Sequence, residues 1–142
     1  MYKLSREKKI IEQIELDGGE VIDINIDVEN ISNDFNQAYN KVIAAEKKMA
    51  ELKVKTDNKE VIDLNIERDY GEAVIALFSV VFGEENTSKI LNYYENRYIE
   101  MSSEVFPFII NVVVPRMKTY MEEKRKKLED NYLATKNLGK RK

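Results

Sequence analysis

The sequence of 142 residues contains no cysteine, no histidine and no tryptophan. Without cysteine, disulfides, thiolate catalysis and cysteine-based zinc sites are excluded. Without histidine, the chain lacks the commonest general base and the commonest metal ligand. Nucleophile systems of the Ser-His-Asp or Cys-His type are therefore impossible, and we expect a protein that is not an enzyme.

Glycine is also scarce, with five residues in the whole chain. None of them belongs to a phosphate-cradling fingerprint, since Gly71 is expected to interrupt a helix and Gly83 to end one. Acidic pairs such as Glu122-Glu123 can in principle hold magnesium or serve acid–base chemistry. They have no histidine or glycine-rich neighbours here, so we interpret them as solvated surface and expect neither cofactor nor metal.

Long apolar runs are missing as well. The longest, residues 73–81 and 105–114, are each broken by a polar residue and are too short to cross a membrane. The first nine residues are polar and lack the apolar region of a signal peptide. With 43% hydrophobic and 35% charged residues, the composition predicts a folded, water-soluble domain that does not bind membranes.

Charge is distributed unevenly along the chain, whose net charge is -3. Residues 116–142 carry ten lysines and arginines against four acids, which leaves +6 there and -9 in the remainder. A basic segment on an acidic body suggests electrostatic docking, either to an acidic partner or to a neighbouring copy, and we expect a homo-oligomer.

The N-terminal region has the pattern of a β-hairpin, because isoleucines alternate with polar residues on both sides of a glycine turn. A three-residue loop over residues 17–19 pairs Ile14 with Ile22 and Ile10 with Ile26, whereas a two-residue loop does not. We favour the three-residue loop with a left-handed glycine. Ile14 and Ile22 should then be buried on one face, so Ile22→Asp should cost more stability than Asp23→Ala.

Two long helices should follow the hairpin. Ser32 or Asn33 is the expected cap of the first, and Asp57 with Glu60 resembles a capping box at the start of the second. Gly83 should end the second helix. Apolar residues recur at steps of three and four in both: Phe35, Ala38, Tyr39, Val42, Ala45, Met49 and Leu52 in the first, and Ile62, Ile66, Tyr70, Val74, Leu77, Phe78 and Val81 in the second.

Two further helices are expected in the C-terminal half. Asn86 or Thr87 should cap a short third helix. Ser102 and Ser103 should open the fourth, which places Pro107 near a first turn, where proline is tolerated.

Pro115 differs, because it lies inside an apolar helical pattern, where its ring removes a hydrogen bond and disturbs the preceding turn. We therefore predict an α+β fold that is mostly helical, with a hairpin at about residues 10–27 followed by about four helices, the last kinked at Pro115. Residues 1–134 should form one domain, and residues 135–142 a flexible basic tail.

The run Lys124-Arg125-Lys126-Lys127 is the sharpest concentration of charge. Four successive residues of a helix point in four directions, and flanking acids offer partners four residues away. A solvated helix is thus the favoured interpretation, followed by docking to an acidic protein, with nucleic acid third. Lys124 and Arg125 are kept as candidate partner-binding residues.

An aromatic cluster precedes this run, with Tyr93, Tyr94, Phe106 and Phe108 close together in sequence. Such a cluster is usually core, but it also fits the centre of a protein interface. The run 105–114 is apolar on nearly every face of a helix, which a domain of this size cannot cover completely. We therefore add Ile109 and Val112 to the candidate partner-binding residues.

The central segment resembles tail assembly chaperones of siphophages and prophages of Gram-positive bacteria. The resemblance covers roughly residues 60–120, and the residues that carry it are Leu77-Phe78, Phe82-Gly83-Glu84-Glu85-Asn86, Lys89-Ile90-Leu91, Tyr94-Glu95, Phe106-Pro107-Phe108-Ile109 and Val114-Pro115-Arg116-Met117.

This resemblance implies a non-catalytic factor of the host cytoplasm that binds the tape measure protein and keeps it soluble. Such a factor then helps to recruit tail-tube protein during tail assembly. The alternative is a small regulatory or nucleic-acid-binding protein that uses the basic C-terminal helix. Salt-dependent DNA binding would favour that alternative.

Overall fold

The computed structural model describes residues 1–4, 10–55 and 64–140. Over these residues the chain is mostly helical, and an N-terminal antiparallel hairpin precedes four helices, which confirms the predicted fold class. The elements are β1 (Ile10–Glu15), β2 (Val21–Ile26), α1 (Val28–Lys55), α2 (Leu64–Phe82), α3 (Glu84–Tyr93) and a last helix that comprises α4 (Tyr98–Phe108), a π-helical turn (Ile109–Val113) and α5 (Val114–Lys140).

The chain forms two compact units, Met1–Phe106 and Pro107–Lys142. Helix α5 continues past residue 134 to Lys140, and the division into a domain of residues 1–134 and a tail of residues 135–142 stays a prediction. The flexibility of the basic tail stays a prediction.

The hairpin has the register predicted from its isoleucines. Ile10 pairs with Ile26 and Ile14 with Ile22, around a loop whose glycines both have positive φ. Ile22 is fully buried, whereas Ile14 is only half-buried, so the prediction that both are buried is wrong for Ile14. The difference arises because α2 packs against β2, which covers the inner residues of that strand more completely.

Helix α1 begins earlier than the sequence suggested, at Val28, immediately after β2. The carbonyl of Asp27 accepts the Ile31 N–H at 3.2 Å and starts the helical ladder. Ser32 lies inside the helix and donates its hydroxyl to the Glu29 carbonyl, so the predicted caps Ser32 and Asn33 are wrong. Sequence pattern missed this start because the strand passes into the helix with no intervening loop.

The buried residues of the two predicted apolar stripes lie in the core between α1 and α2, which pack against each other. Val74, Leu77 and Phe78 of α2 are completely buried, and Val42 of α1 is buried beside them in the core. The proposed capping box at Asp57 and Glu60, together with Ile62, lies outside the described residues.

A buried polar contact joins α2 to α4. The Tyr70 hydroxyl donates to the Ser102 hydroxyl at 2.8 Å, and Ser102 donates onward to the Ile99 carbonyl. Burial raises the pKa of Tyr70 above its usual value, more than the Ser102 hydrogen bond lowers it. The fold therefore favours the neutral form of the Tyr70 side chain.

Gly83 ends α2 as predicted, with φ of 83°, and it also precedes the first residue of α3. Asn86 and Thr87 do not cap α3, because they lie within its first turn and donate hydrogen bonds backwards. Thr87 donates to the Gly83 carbonyl at 2.7 Å, and Asn86 donates to the carbonyls of Asp23 and Phe82. Asn86 thereby ties α3 to the outer edge of β2.

The connection between α3 and α4 lies at residues 94–97, and α4 begins at Tyr98, four residues before the predicted start at Ser102. Glu95 and Asn96 both have positive φ there, a conformation for which glutamate gives no sequence signal. Ser102 and Ser103 are inside α4, where both hydroxyls bond back to the Ile99 carbonyl. They look like caps in the sequence but serve as internal helix residues.

Proline positions in the last helix differ from expectation. Pro107 is the penultimate residue of α4 instead of a first-turn residue. Before Pro115 the backbone adopts a π-helical turn, in which the Val114 N–H bonds to the carbonyl of Ile109, five residues back. The predicted disturbance at Pro115 is thus present as a change of hydrogen-bond pattern. Whether the helix axis bends there stays a prediction.

Two isoleucines on opposite faces of the hairpin should respond differently to truncation. Ile22 is 1% exposed and Ile11 is 70% exposed. Ile22→Ala should lower the free energy of unfolding by about 2–5 kcal/mol, and the matched Ile11→Ala by about 0.5 kcal/mol or less. Urea unfolding measures both, and equal losses would contradict the assigned faces.

Gly71 lies within α2 and does not interrupt it, contrary to expectation. A Cβ at this position would sit 2.7 Å from Cγ of Tyr98. Alanine normally stabilises a helix interior by about 1 kcal/mol relative to glycine, but here Gly71→Ala should destabilise by about 1–3 kcal/mol. In a Tyr98→Ala background the same change should become neutral or stabilising, and thermal unfolding of the four proteins tests this reversal.

Candidate protein-binding site

Tyr93 and Tyr94 form an edge-to-face pair at the end of α3, with ring centroids 4.9 Å apart. Tyr93 is exposed and Tyr94 half-buried, so the pair reaches the surface. Burial, followed by the nearby Glu104 carboxylate, raises the pKa of Tyr94 above its usual value. An apolar pair beside carboxylates fits contact with a basic or aromatic side chain of a partner.

The other apolar candidates are placed differently. Phe106 is half-buried and packs edge-to-face on Phe78 at 6.1 Å, so it belongs mainly to the core of the first unit. In the second unit Ile109 is completely buried, which keeps it from contact with a partner in this structure. Phe108 and Val112 are half-buried. The neighbouring Ile110, which the sequence did not single out, is 47% exposed.

Helix α5 presents a row of exposed apolar side chains. It is 27 residues long, or about 40 Å at 1.5 Å per residue. Every residue from 121 to 138 is exposed. Met121, Leu128 and Tyr132, spaced by seven and four residues, lie on one side of the helix and are named the α5 stripe below.

The α5 stripe continues the side of the helix on which Met117 is buried. Its three members are 49%, 60% and 65% exposed in sequence order. An apolar face of this kind on a surface helix normally packs against another element. The described residues of this chain do not cover it.

The basic run of α5 is only partly available for ligands. Arg125 forms an ion pair with Glu129 at 3.3 Å, one turn further along. Lys124 and Lys127 each have an interaction of their own. Residues 121–132 contain four acids and four bases, so this part of the helix does not form one uniformly basic face.

One surface feature escaped the sequence analysis. Alanines of α1 and α2 line a groove of about 440 Å³ between the two helices. Ala45 belongs to the predicted α1 stripe, but the other alanines flank the stripes in the sequence, and small residues give little periodic hydrophobic signal. The lining includes Ala44, Ala45, Ala73 and Ala76.

Comparisons with protein-family models, curated proteins and solved structures gave no significant match. Within the described part of the chain, no helix is long and apolar enough to span a membrane. Among the same residues no three acidic side chains converge as metal ligands would. The functional inference therefore depends on the surfaces described above.

Two methionines one turn apart test whether the α5 stripe is free of internal packing. Met117 is 5% exposed and Met121 is 49% exposed. Met117→Ala should lower the free energy of unfolding by about 2–5 kcal/mol, and Met121→Ala by about 0.5 kcal/mol or less. A large loss at Met121 in chemical denaturation would show that the stripe already packs within the chain.

Proposed function

We propose that the protein is a non-catalytic tail assembly chaperone of a siphophage or prophage, which binds the tape measure protein and keeps it soluble in the host cytoplasm. The observation that carries the proposal is the exposed α5 stripe on a helix of 27 residues. The resemblance of residues 60–120 to this family supports it independently.

The chemistry of the α5 stripe suits a long helical client, which in this proposal is the tape measure protein. An apolar helix face of such a client, exposed to water before tail assembly, would aggregate with others of its kind. Docking on Met121, Leu128 and Tyr132 removes that face from water, and methionine adapts to varied partner shapes. The acids and bases beside the stripe supply pairing with charges of either sign on the client.

The remaining accessible candidates lie outside the α5 stripe, and each unit of the chain contributes its own. Tyr93 and Tyr94 offer an accessible aromatic pair, and Phe108 and Val112 are partly accessible. Recruitment of tail-tube protein requires a surface that stays open while the client is bound, and the tyrosine pair is our proposal for it. Ile109 is not part of this surface, because it is buried.

The rival proposal, a nucleic-acid-binding protein, has weaker support. Arg125 is paired with Glu129, and the run 124–127 is flanked by four acids on the same helix. Affinity for phosphates requires cations that are free to replace counterions. The distribution of charge on α5 favours protein over nucleic acid.

Co-expression with the proposed client, a phage tape measure protein, tests the function. The wild-type protein should keep the client in the soluble fraction and co-purify with it. Leu128→Asp should abolish both effects, because it places a charge in the apolar contact. Leu133→Asp is the matched control, since Leu133 is 53% exposed on the same helix but about 140° away from Leu128.

The control variant should behave as the wild type. A Leu128→Asp variant that is folded and still solubilises the client would remove the α5 stripe from the binding site. A wild-type protein that neither solubilises nor co-purifies with the client would overturn the chaperone function itself.

A further inference from the structure

Among the described residues, the hairpin leaves the outer edge of strand β1 unpaired. The Leu16 N–H donates to the Glu20 carbonyl at 2.8 Å. Because bonded and non-bonded pairs alternate in an antiparallel ladder, the even-numbered residues of β1 direct their backbone groups to β2. The N–H and C=O groups of Ile11, Gln13 and Glu15 therefore point away from β2, along the outer edge of β1.

The outer edge of β2 is covered instead. The Asn86 side chain donates to the outward carbonyl of Asp23 at 2.9 Å, which ties helix α3 to that edge. A further strand can therefore pair only on the β1 side of the sheet. Strand β1, Ile10–Glu15, contains none of the prolines, lysines or bulges with which proteins commonly protect an exposed edge.

The side chains of β1 also leave apolar surface for a neighbouring strand. Ile11 is 70% exposed on the outer face of the hairpin. On the inner face Ile14 is only half-buried, although its cross-strand partner Ile22 is fully buried. An apolar residue opposite Ile14 on an added strand would cover the part of this side chain that remains exposed.

The charge of the hairpin determines which kind of strand fits. Residues 10–27 contain six acids and no lysine or arginine. The exposed acids Glu15, Asp17 and Glu20 lie at the turn end of the hairpin, whereas the lysines nearest in the sequence, at positions 8–9, precede β1. An added strand is therefore complementary when its basic side chains lie at the turn end.

A second copy of β1 fits this edge poorly. The antiparallel register that uses the whole edge is symmetric about Gln13. It places Ile11 of one copy opposite Glu15 of the other, and Glu12 opposite Ile14. An apolar side chain thus meets a carboxylate at each of these pairs, which opposes such a dimer.

We infer that the outer edge of β1 binds an extended, basic segment of another protein as a third, antiparallel strand. From its amino end, this segment carries a basic residue opposite Glu15, an apolar residue opposite Ile14 and a second apolar residue opposite Ile11. The two residues between the apolar ones are polar, because they lie opposite Gln13 and Glu12, and Glu12 already has an interaction of its own. This inference does not depend on the chaperone function.

A synthetic peptide with this pattern, acetyl-Lys-Thr-Lys-Val-Thr-Thr-Val-amide, tests the inference by NMR titration of the isotopically labelled full chain. Its second lysine is the residue opposite Glu15. Binding should saturate below about 1 mM. The amide signals of Ile11, Gln13 and Glu15 should shift most and exchange more slowly with solvent, because these N–H groups become hydrogen-bonded.

Two controls separate main-chain pairing from simple charge attraction. Methylation of the peptide nitrogen of the threonine opposite Gln13 keeps the charge but removes a hydrogen bond to the edge, so binding should weaken about tenfold. Gln13→Pro removes an outward N–H without removing a bond of the β1–β2 ladder, and it should have the same effect. If Gln13→Pro fails to fold by circular dichroism, the methylated peptide with the wild-type protein decides the point.

The matched control for Gln13→Pro is Val21→Pro. Val21 is the first residue of β2, where proline is tolerated, and its N–H points to the opposite edge of the sheet. This variant should bind the peptide like the wild type. Equal losses in the two proline variants would show that the peptide does not pair with β1.

Reversing one charge on each partner gives the decisive result. A peptide with glutamate in place of its second lysine should bind the wild-type protein about tenfold more weakly, and Glu15→Lys should restore its binding. The inference is wrong if no peptide binding saturates up to about 1 mM, or if the largest shifts lie outside β1. It is also wrong if the edge amides shift with protein concentration alone, since a second copy then occupies the edge.

The titration contains no tape measure protein, so its outcome is independent of the co-expression test.

Discussion

Most of the first unit depends on the burial of one face of helix α2. Val74, Leu77 and Phe78 are excluded from water entirely, and α1, α3 and β2 all pack against this helix. Fully burying a side chain of this size contributes about 1.5–3 kcal/mol, so these three residues alone contribute an amount comparable to a typical net stability. The Tyr70–Ser102 hydrogen bond and the close approach of Tyr98 to Gly71 attach α4 to the same helix.

Helix α5 differs from α2 in having little buried surface. Beyond Met117 none of its residues through position 138 is buried, and its exposed turns carry local pairs such as Arg125–Glu129. Each exposed pair of that kind contributes about 0.3–0.5 kcal/mol. An isolated helix with so little tertiary support is marginal in water. A partner that covers the stripe would therefore stabilise the helix as well as bind it, which couples order in α5 to association.

The sequence predicted those parts of the fold in which hydrophobic residues recur at a regular spacing. Alternating isoleucines and a glycine turn determined the hairpin register, because a shift by one residue would expose every isoleucine. The apolar stripes of α1 and α2 were found for the same reason. The errors at Ser32, Asn86, Thr87, Ser102 and Ser103 share one cause: short polar side chains cap helices, but they also bond back to carbonyls inside them. The left-handed Glu95 left no periodic trace, and of the groove alanines only Ala45 belonged to a predicted stripe, so neither feature could be predicted.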